Sequence, residues 1–103
     1  MCTSIVEIAA VDGMAKRGDD WFDLTEAVVS YDHARHALLD DAITIDFINT
    51  DLPPGARAAV ELTLDSAKAL QAALATAIAE AEEEEAERAA GIEAMRLAKV
   101  RAA

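Results

Sequence analysis

The stretch VVSYDHARHALLDDAITIDFIN (28–49) decides the fold, because two alternating apolar runs flank a short polar connection. In AITIDFIN (42–49), Ile43, Ile45, Phe47 and Asn49 share one parity while Thr44, Asp46 and Ile48 share the other. A period of two over this length describes a β-strand. Upstream, WFDLTEAVVSYDH (21–33) sets Trp21, Asp23, Thr25, Ala27, Val29, Tyr31 and His33 against Phe22, Leu24, Glu26, Val28, Ser30 and Asp32. ARHALLDD (34–41) joins the two runs. Paired as a hairpin, they place Tyr31 and His33 on one face near Ile43 and Ile45, with Asp46 on the opposite face.

Two more strands are expected around this hairpin. TSIVEIAAV (3–11) carries apolar residues on both parities, and DGMAKRGDD (12–20), polar and with two glycines, should turn the chain. TDLPPG (50–55) is a second turn, since Pro53 and Pro54 have no N–H for a sheet ladder and Gly55 tolerates positive φ. ARAAVELT (56–63) then supplies the fourth strand.

Beyond it the period changes. Thr63 stands where a helix N-cap belongs, its hydroxyl able to accept from the N–H of Asp65 or Ser66, and Asp65 suits the positive end of a helix dipole. Ala67, Leu70, Leu74, Ala77, Ile78 and Ala81 recur every three or four residues as one apolar stripe. EAEEEEAERAAGIEAMRLAKVRAA (80–103) is acidic at its start and basic at its end, again matching a helix dipole, with Glu84 and Arg88 as an i,i+4 pair. Gly91 costs about 1 kcal/mol relative to alanine within a helix. Either one helix runs through it or a second begins after it. The expected fold is α+β: a four-stranded, mainly antiparallel sheet packed by a long C-terminal helix. Residues 1–80 form one α+β domain, and 81–103 a charged helical C-terminal extension.

Composition bounds the partners. A chain of 103 residues accounts for one hydrophobic core. Much of its 53% apolar content is alanine, which buries little area at about 25 cal/mol per Å². A domain this small is marginal alone, so association as a homodimer is expected. A formal charge of −11 repels phosphate backbones and anionic headgroups, which excludes nucleic acid and membrane surfaces as partners. With no spanning apolar run, no signal-peptide pattern and one cysteine, Cys2, the expected compartment is the cytoplasm.

Chemistry concentrates in YDHARH (31–36), which holds both histidines and the only tyrosine. A spacing of three suits metal ligation on a helix, but an extended strand would send His33 and His36 to opposite faces. Asp32, Asp40, Asp41 and Asp46 could add oxygen ligands, yet there is no HExxH, no CxxC and no third nitrogen or sulfur ligand. No metal and no cofactor are expected. An imidazole beside carboxylates and a phenol suits proton transfer near neutral pH, although such residues also commonly end strands and face water. Cys2 lacks a neighbouring cation in sequence to activate it. Arg57, on the polar parity of its strand, has the fork to bind a carboxylate or enolate oxygen, or to pair with Glu61. Glycine-rich phosphate loops and G-x-S-x-G are absent, which leaves kinase, nucleotide-binding and serine-hydrolase readings unsupported.

MCTSIVEIA, WFDLTEAVVSYDHARHALLDDAITIDFIN and PPGARAAVELTLDSAKAL together resemble a family of short actinobacterial proteins of unknown function found among secondary-metabolite genes. The resemblance covers residues 1–80. It implies a small tailoring enzyme or accessory protein of natural-product assembly, similar in size and setting to polyketide cyclases that dehydrate a substrate and close a ring by Michael-type addition. The resulting expectation is a cofactor-independent enzyme acting on a hydrophobic, polyketide-like small molecule. His33 is the general base or acid, Tyr31 and Asp32 orient it, and His36 or Arg57 stabilises enolate charge. Trp21, Asp46, Phe47 and Asn49 join Arg57 in substrate contact. The alternative is a non-catalytic dimeric binding protein that engages a partner through its helix and acidic tail.

Overall fold

The computed structural model describes residues 5–102. These residues fold as two units, one through Ala67 and one from Lys68 onward. The boundary lies near the start of the helix, well before the glutamate-rich segment.

The first unit is a four-stranded antiparallel sheet with strands in chain order: β1 (Val6–Arg17), β2 (Asp20–His33), β3 (Asp41–Ile48) and β4 (Arg57–Leu62). β3 and the central hairpin follow the expected alternation. Tyr31 pairs with Ile43, Val29 with Ile45 and Ala27 with Phe47; Ile43, Ile45 and Phe47 continue to Leu62, Val60 and Ala58. These residues make one face apolar. The other face carries Ser30 opposite Thr44 opposite Glu61, and Val28 opposite Asp46 opposite Ala59.

β1 departs from expectation. The segment 12–17 is not a turn but the second half of a long strand, and the chain reverses only at Gly18-Asp19. Gly18 has φ +61° and Asp19 does not, the pattern of a two-residue hairpin turn with glycine first. The alternation is masked by a β-bulge. Ala10 pairs with Glu26 and Gly13 with Leu24, so Val11 and Asp12 together face Thr25. Past the bulge the parity inverts, and Met14 and Lys16 lie on the face that Glu7 and Ala9 occupy before it.

In a flat sheet, three strand spacings would separate β1 from β4 by roughly 14 Å. Instead their Cα atoms come within 8 Å, so the sheet is strongly coiled. Arg17 at the end of β1 hydrogen-bonds the carbonyl of Gly55, just before β4.

Only Ala27 and Ala42 are buried among the described residues, and no large side chain is fully enclosed. Val29, Ile43, Ile45 and Phe47 are half-buried, while Ile5 and Val60 are exposed.

The helix α1 (Leu64–Ala102) runs unbroken through Gly91. At 1.5 Å per residue its 39 residues span about 58 Å. Thr63 caps it, its hydroxyl accepting from the N–H of Ser66 at 3.0 Å. Leu70, Leu74 and Ile78 of the apolar stripe are all exposed, as is Leu64 at the start of the helix. Among the described residues Glu84 and Arg88 form no ion pair; Glu93 and Arg96, farther along the helix, do so at i,i+3. No helix of the described chain is long and apolar enough to cross a membrane.

Candidate functional site

The polar face of the sheet and the 34–40 loop enclose an open groove of about 690 Å³. Three cross-strand features shape it. The hydroxyls of Ser30 and Thr44, opposite each other on β2 and β3, are hydrogen-bonded. Arg57 on β4 reaches diagonally to Asp46 on β3, its Nη2 donating to Oδ1. Glu61 accepts from the backbone N–H groups of Arg35, His36 and Ala37 at 2.7, 2.8 and 2.8 Å. Those three donors, Arg35 first, hold the Glu61 carboxyl below the ordinary glutamate range, helped by the His36 charge and opposed by burial. Arg57 therefore does not pair with Glu61: the two lie on the same strand face, but each has a nearer partner.

His33 stands at the groove's edge, where β2 ends. Its register partner is Asp41, the first residue of β3, and His33 Nδ1 lies 3.1 Å from Asp41 Oδ1. The two groups lie at ion-pair distance without a hydrogen bond between them, which sets a carboxylate beside an imidazole, the pairing that general-base chemistry uses. Its side chain is 59% exposed and thus open to a ligand in the groove.

The structure gathers some expected site residues here and disperses others. Asp32, His33, His36, Asp46 and Arg57 all line the groove. Asp32 does not orient the His33 ring: strand alternation turns it to the other face, and its Oδ1 accepts from the backbone N–H of His33 at 2.7 Å. Asp41 is the carboxylate that the structure places beside the ring, at ion-pair distance. Tyr31 and Phe47 belong to the apolar face and line no part of the groove. The cavity is thus not beneath Tyr31.

Asn49 is structural. Its Nδ2 donates to the carbonyl of Asp23 at 2.9 Å and its Oδ1 accepts from the N–H of Asp51 at 2.9 Å, pinning the β3–β4 loop to β2. Thr25 assists by accepting from the N–H of Thr50 at 3.0 Å. Trp21 lines a separate, mainly apolar depression of about 290 Å³ with Phe22, Leu52 and Pro53.

Asp41 and Glu61 take places in the site that the sequence did not give them, reading there only as a candidate oxygen ligand and a candidate partner of Arg57. Asp41 follows from the hairpin register, since a pairing that matches Tyr31 with Ile43 necessarily matches His33 with Asp41. Glu61 leaves no such trace, because its partners are backbone amides 24–26 residues away. Among the described residues, no three His, Cys, Asp or Glu side chains gather in a way that could hold a metal ion. Cys2 lies outside the described residues.

Comparisons with curated proteins and with solved structures gave no match. A family match covers residues 1–87, the whole sheet and the first part of the helix, and by it the chain belongs to the Family of unknown function (DUF6295).

Proposed function

We propose that this protein is a small cofactor-independent tailoring enzyme that uses His33 as general base and acid on a polyketide-like substrate in the cytoplasm. The observation that carries the reading is the His33–Asp41 pair at the edge of a groove that also presents His36 and Arg57. In the dehydration step, His33 Nε2 removes the proton α to a carbonyl. The β-hydroxyl then leaves as water, taking its second proton from the imidazolium. In the ring closure, a substrate hydroxyl adds to the resulting alkene as its proton passes to His33, and the enolate carbon is reprotonated. Arg57 or His36 stabilises the enolate oxygen in both steps. An actinobacterial, secondary-metabolite setting, suggested by the resemblance of residues 1–80, supplies the substrate class.

The working form in this reading is a homodimer. The apolar sheet face offers half-buried Val29, Ile45 and Phe47, and a second copy of the chain is the covering we propose for it. Light scattering across a concentration series measures this directly; a monomer throughout would defeat it.

The test of function is deletion of the gene in its producer and identification of the intermediate that accumulates. Conversion of that intermediate by the purified protein should fall by about 10²–10⁴-fold in His33→Ala. It should fall less in Asp41→Asn, which keeps the ring's partner and removes its charge. Unchanged conversion in His33→Ala rules out this acid–base assignment. A second reading, a non-catalytic protein that binds a partner, draws on the exposed Leu64, Leu70, Leu74 and Ile78 of the helix. It predicts that no His33 variant alters the pathway, whereas charged substitutions at those positions do.

A further inference from the structure

We infer that Glu61 is the positioning residue of the groove: its carboxylate, reaching from β4 past β3, fixes the 34–40 loop and so sets where Arg35 and His36 stand. The loop has little else to hold it. Among the described residues its own backbone bonds are Ala34 N–H to Asp40 O at 3.3 Å and Leu39 N–H to Ala37 O at 2.9 Å. Its apolar anchorage is partial, with Leu39 half-buried and Leu38 wholly exposed. By contrast, three consecutive amides converge on the two oxygens of one ionised carboxylate. Successive N–H groups arranged in this way form an anion-binding nest, and bonds to a charged acceptor are roughly twice as strong as neutral ones.

The clasp has a defined pH behaviour. Glu61 titrates below its ordinary range, so the bonds are intact at neutral pH and are lost as pH falls through that lowered value. The charged and titratable groups around it are few. Arg35 and His36 face it from the loop, the Thr44 hydroxyl lies opposite on β3, and Arg57 on its own strand is engaged by Asp46.

The inference rests on reading the groove as the functional site, but its first test needs no substrate. In a ¹⁵N-resolved pH titration of the full chain, the amides of Arg35, His36 and Ala37 should shift together. Their common midpoint should lie below the usual glutamate value. Glu61→Gln sharpens the test. Its carbonyl oxygen can still accept from His36 and Ala37, which share Oε1, but its NH₂ then opposes the N–H of Arg35, whose acceptor is Oε2. Hydrogen exchange at Arg35 should accelerate on the order of tenfold or more, with smaller changes at the other two amides. Unchanged exchange at all three, or three unrelated midpoints, overturns the clasp.

Conversion of the accumulated intermediate separates the two levels. Wild-type behaviour in both Glu61→Gln and His33→Ala, with the loop amides responding as expected, defeats the functional reading and leaves the clasp supported. Loss in His33→Ala with none in Glu61→Gln overturns the positioning role. A fall in kcat larger than the change in KM in Glu61→Gln supports it.

Discussion

Across the middle of the sheet, Val29, Ile45 and Val60 lie side by side on one face; one residue along each strand, Ser30, Thr44 and Glu61 lie side by side on the other. The two rows share a backbone and differ in how they are held. In the polar row each group has a directional partner within the chain: hydroxyl with hydroxyl, carboxylate with loop amides. In the apolar row the attraction is non-directional and proportional to area removed from water, and much of that area is still accessible. The polar face therefore specifies a geometry, whereas the apolar face leaves area to be covered. In the function proposed above, the first surface is the substrate groove and the second is where another copy of the chain would sit.

The largest effect should come from charging the apolar row. Ile45 sits between Val29 and Val60, so Ile45→Asp places a carboxylate on a half-buried surface with no donor beside it. We expect a loss of about 2–3 kcal/mol in denaturant unfolding. Wild-type stability should also rise with protein concentration, as expected when folding is linked to association, and the variant should lose that dependence. A variant as stable as wild type, with the same oligomeric state, would mean that the apolar row is not an interface.

A smaller effect is expected from the polar row. Ser30→Ala and Thr44→Val each break the hydroxyl pair, at roughly 0.5–1.5 kcal/mol apiece. The double variant should cost less than their sum, since it removes the bond once and leaves neither hydroxyl unpartnered. Strict additivity in that cycle would show that the two hydroxyls act independently. Neither change should alter the oligomeric state, which is the contrast with Ile45→Asp.

The apolar row was readable from sequence because period-two alternation depends only on local residue type. AITIDFIN shows it without interruption. β1 hid the same signal behind its bulge. One extra residue at Val11-Asp12 shifts the phase, so the alternation from Gly13 onward no longer matches the alternation before it, and the charged run resembles a loop. The Gly18-Asp19 pair was the better turn signal, since glycine first in a two-residue loop meets the need for positive φ. The polar site was only partly readable. Its residue types are concentrated in 31–36, but the face on which a groove opens depends on how the sheet coils and where the loop is tied. Tyr31 and Phe47 fall on the far side for that reason. Asp32, adjacent to His33 in sequence, is displaced by the pleat, and Asp41, eight residues on, is brought beside it by the register. Asn49, expected in substrate contact, has both ends of its amide occupied within the fold, by the Asp23 carbonyl and the Asp51 N–H.

The smallest stability effect separates holding a fold from preparing a site. Arg57 and Asp46 form an ion pair on the polar face, with side chains 53% and 32% exposed. Water screens such a pair, and holding a long side chain in one geometry costs entropy, so Arg57→Ala should change unfolding by less than about 1 kcal/mol. The effect should shrink further as salt is raised. Removing the guanidinium also releases Asp46 as an unpaired negative charge in the groove, directly where enolate charge is proposed to develop. Catalysis should therefore suffer far more than stability, and Arg57→Lys should restore the charge without the planar fork. Substantial recovery of conversion by Arg57→Lys assigns Arg57 an electrostatic role. No recovery shows that the directional contact is what matters, which is the property that distinguishes the polar row from the apolar one.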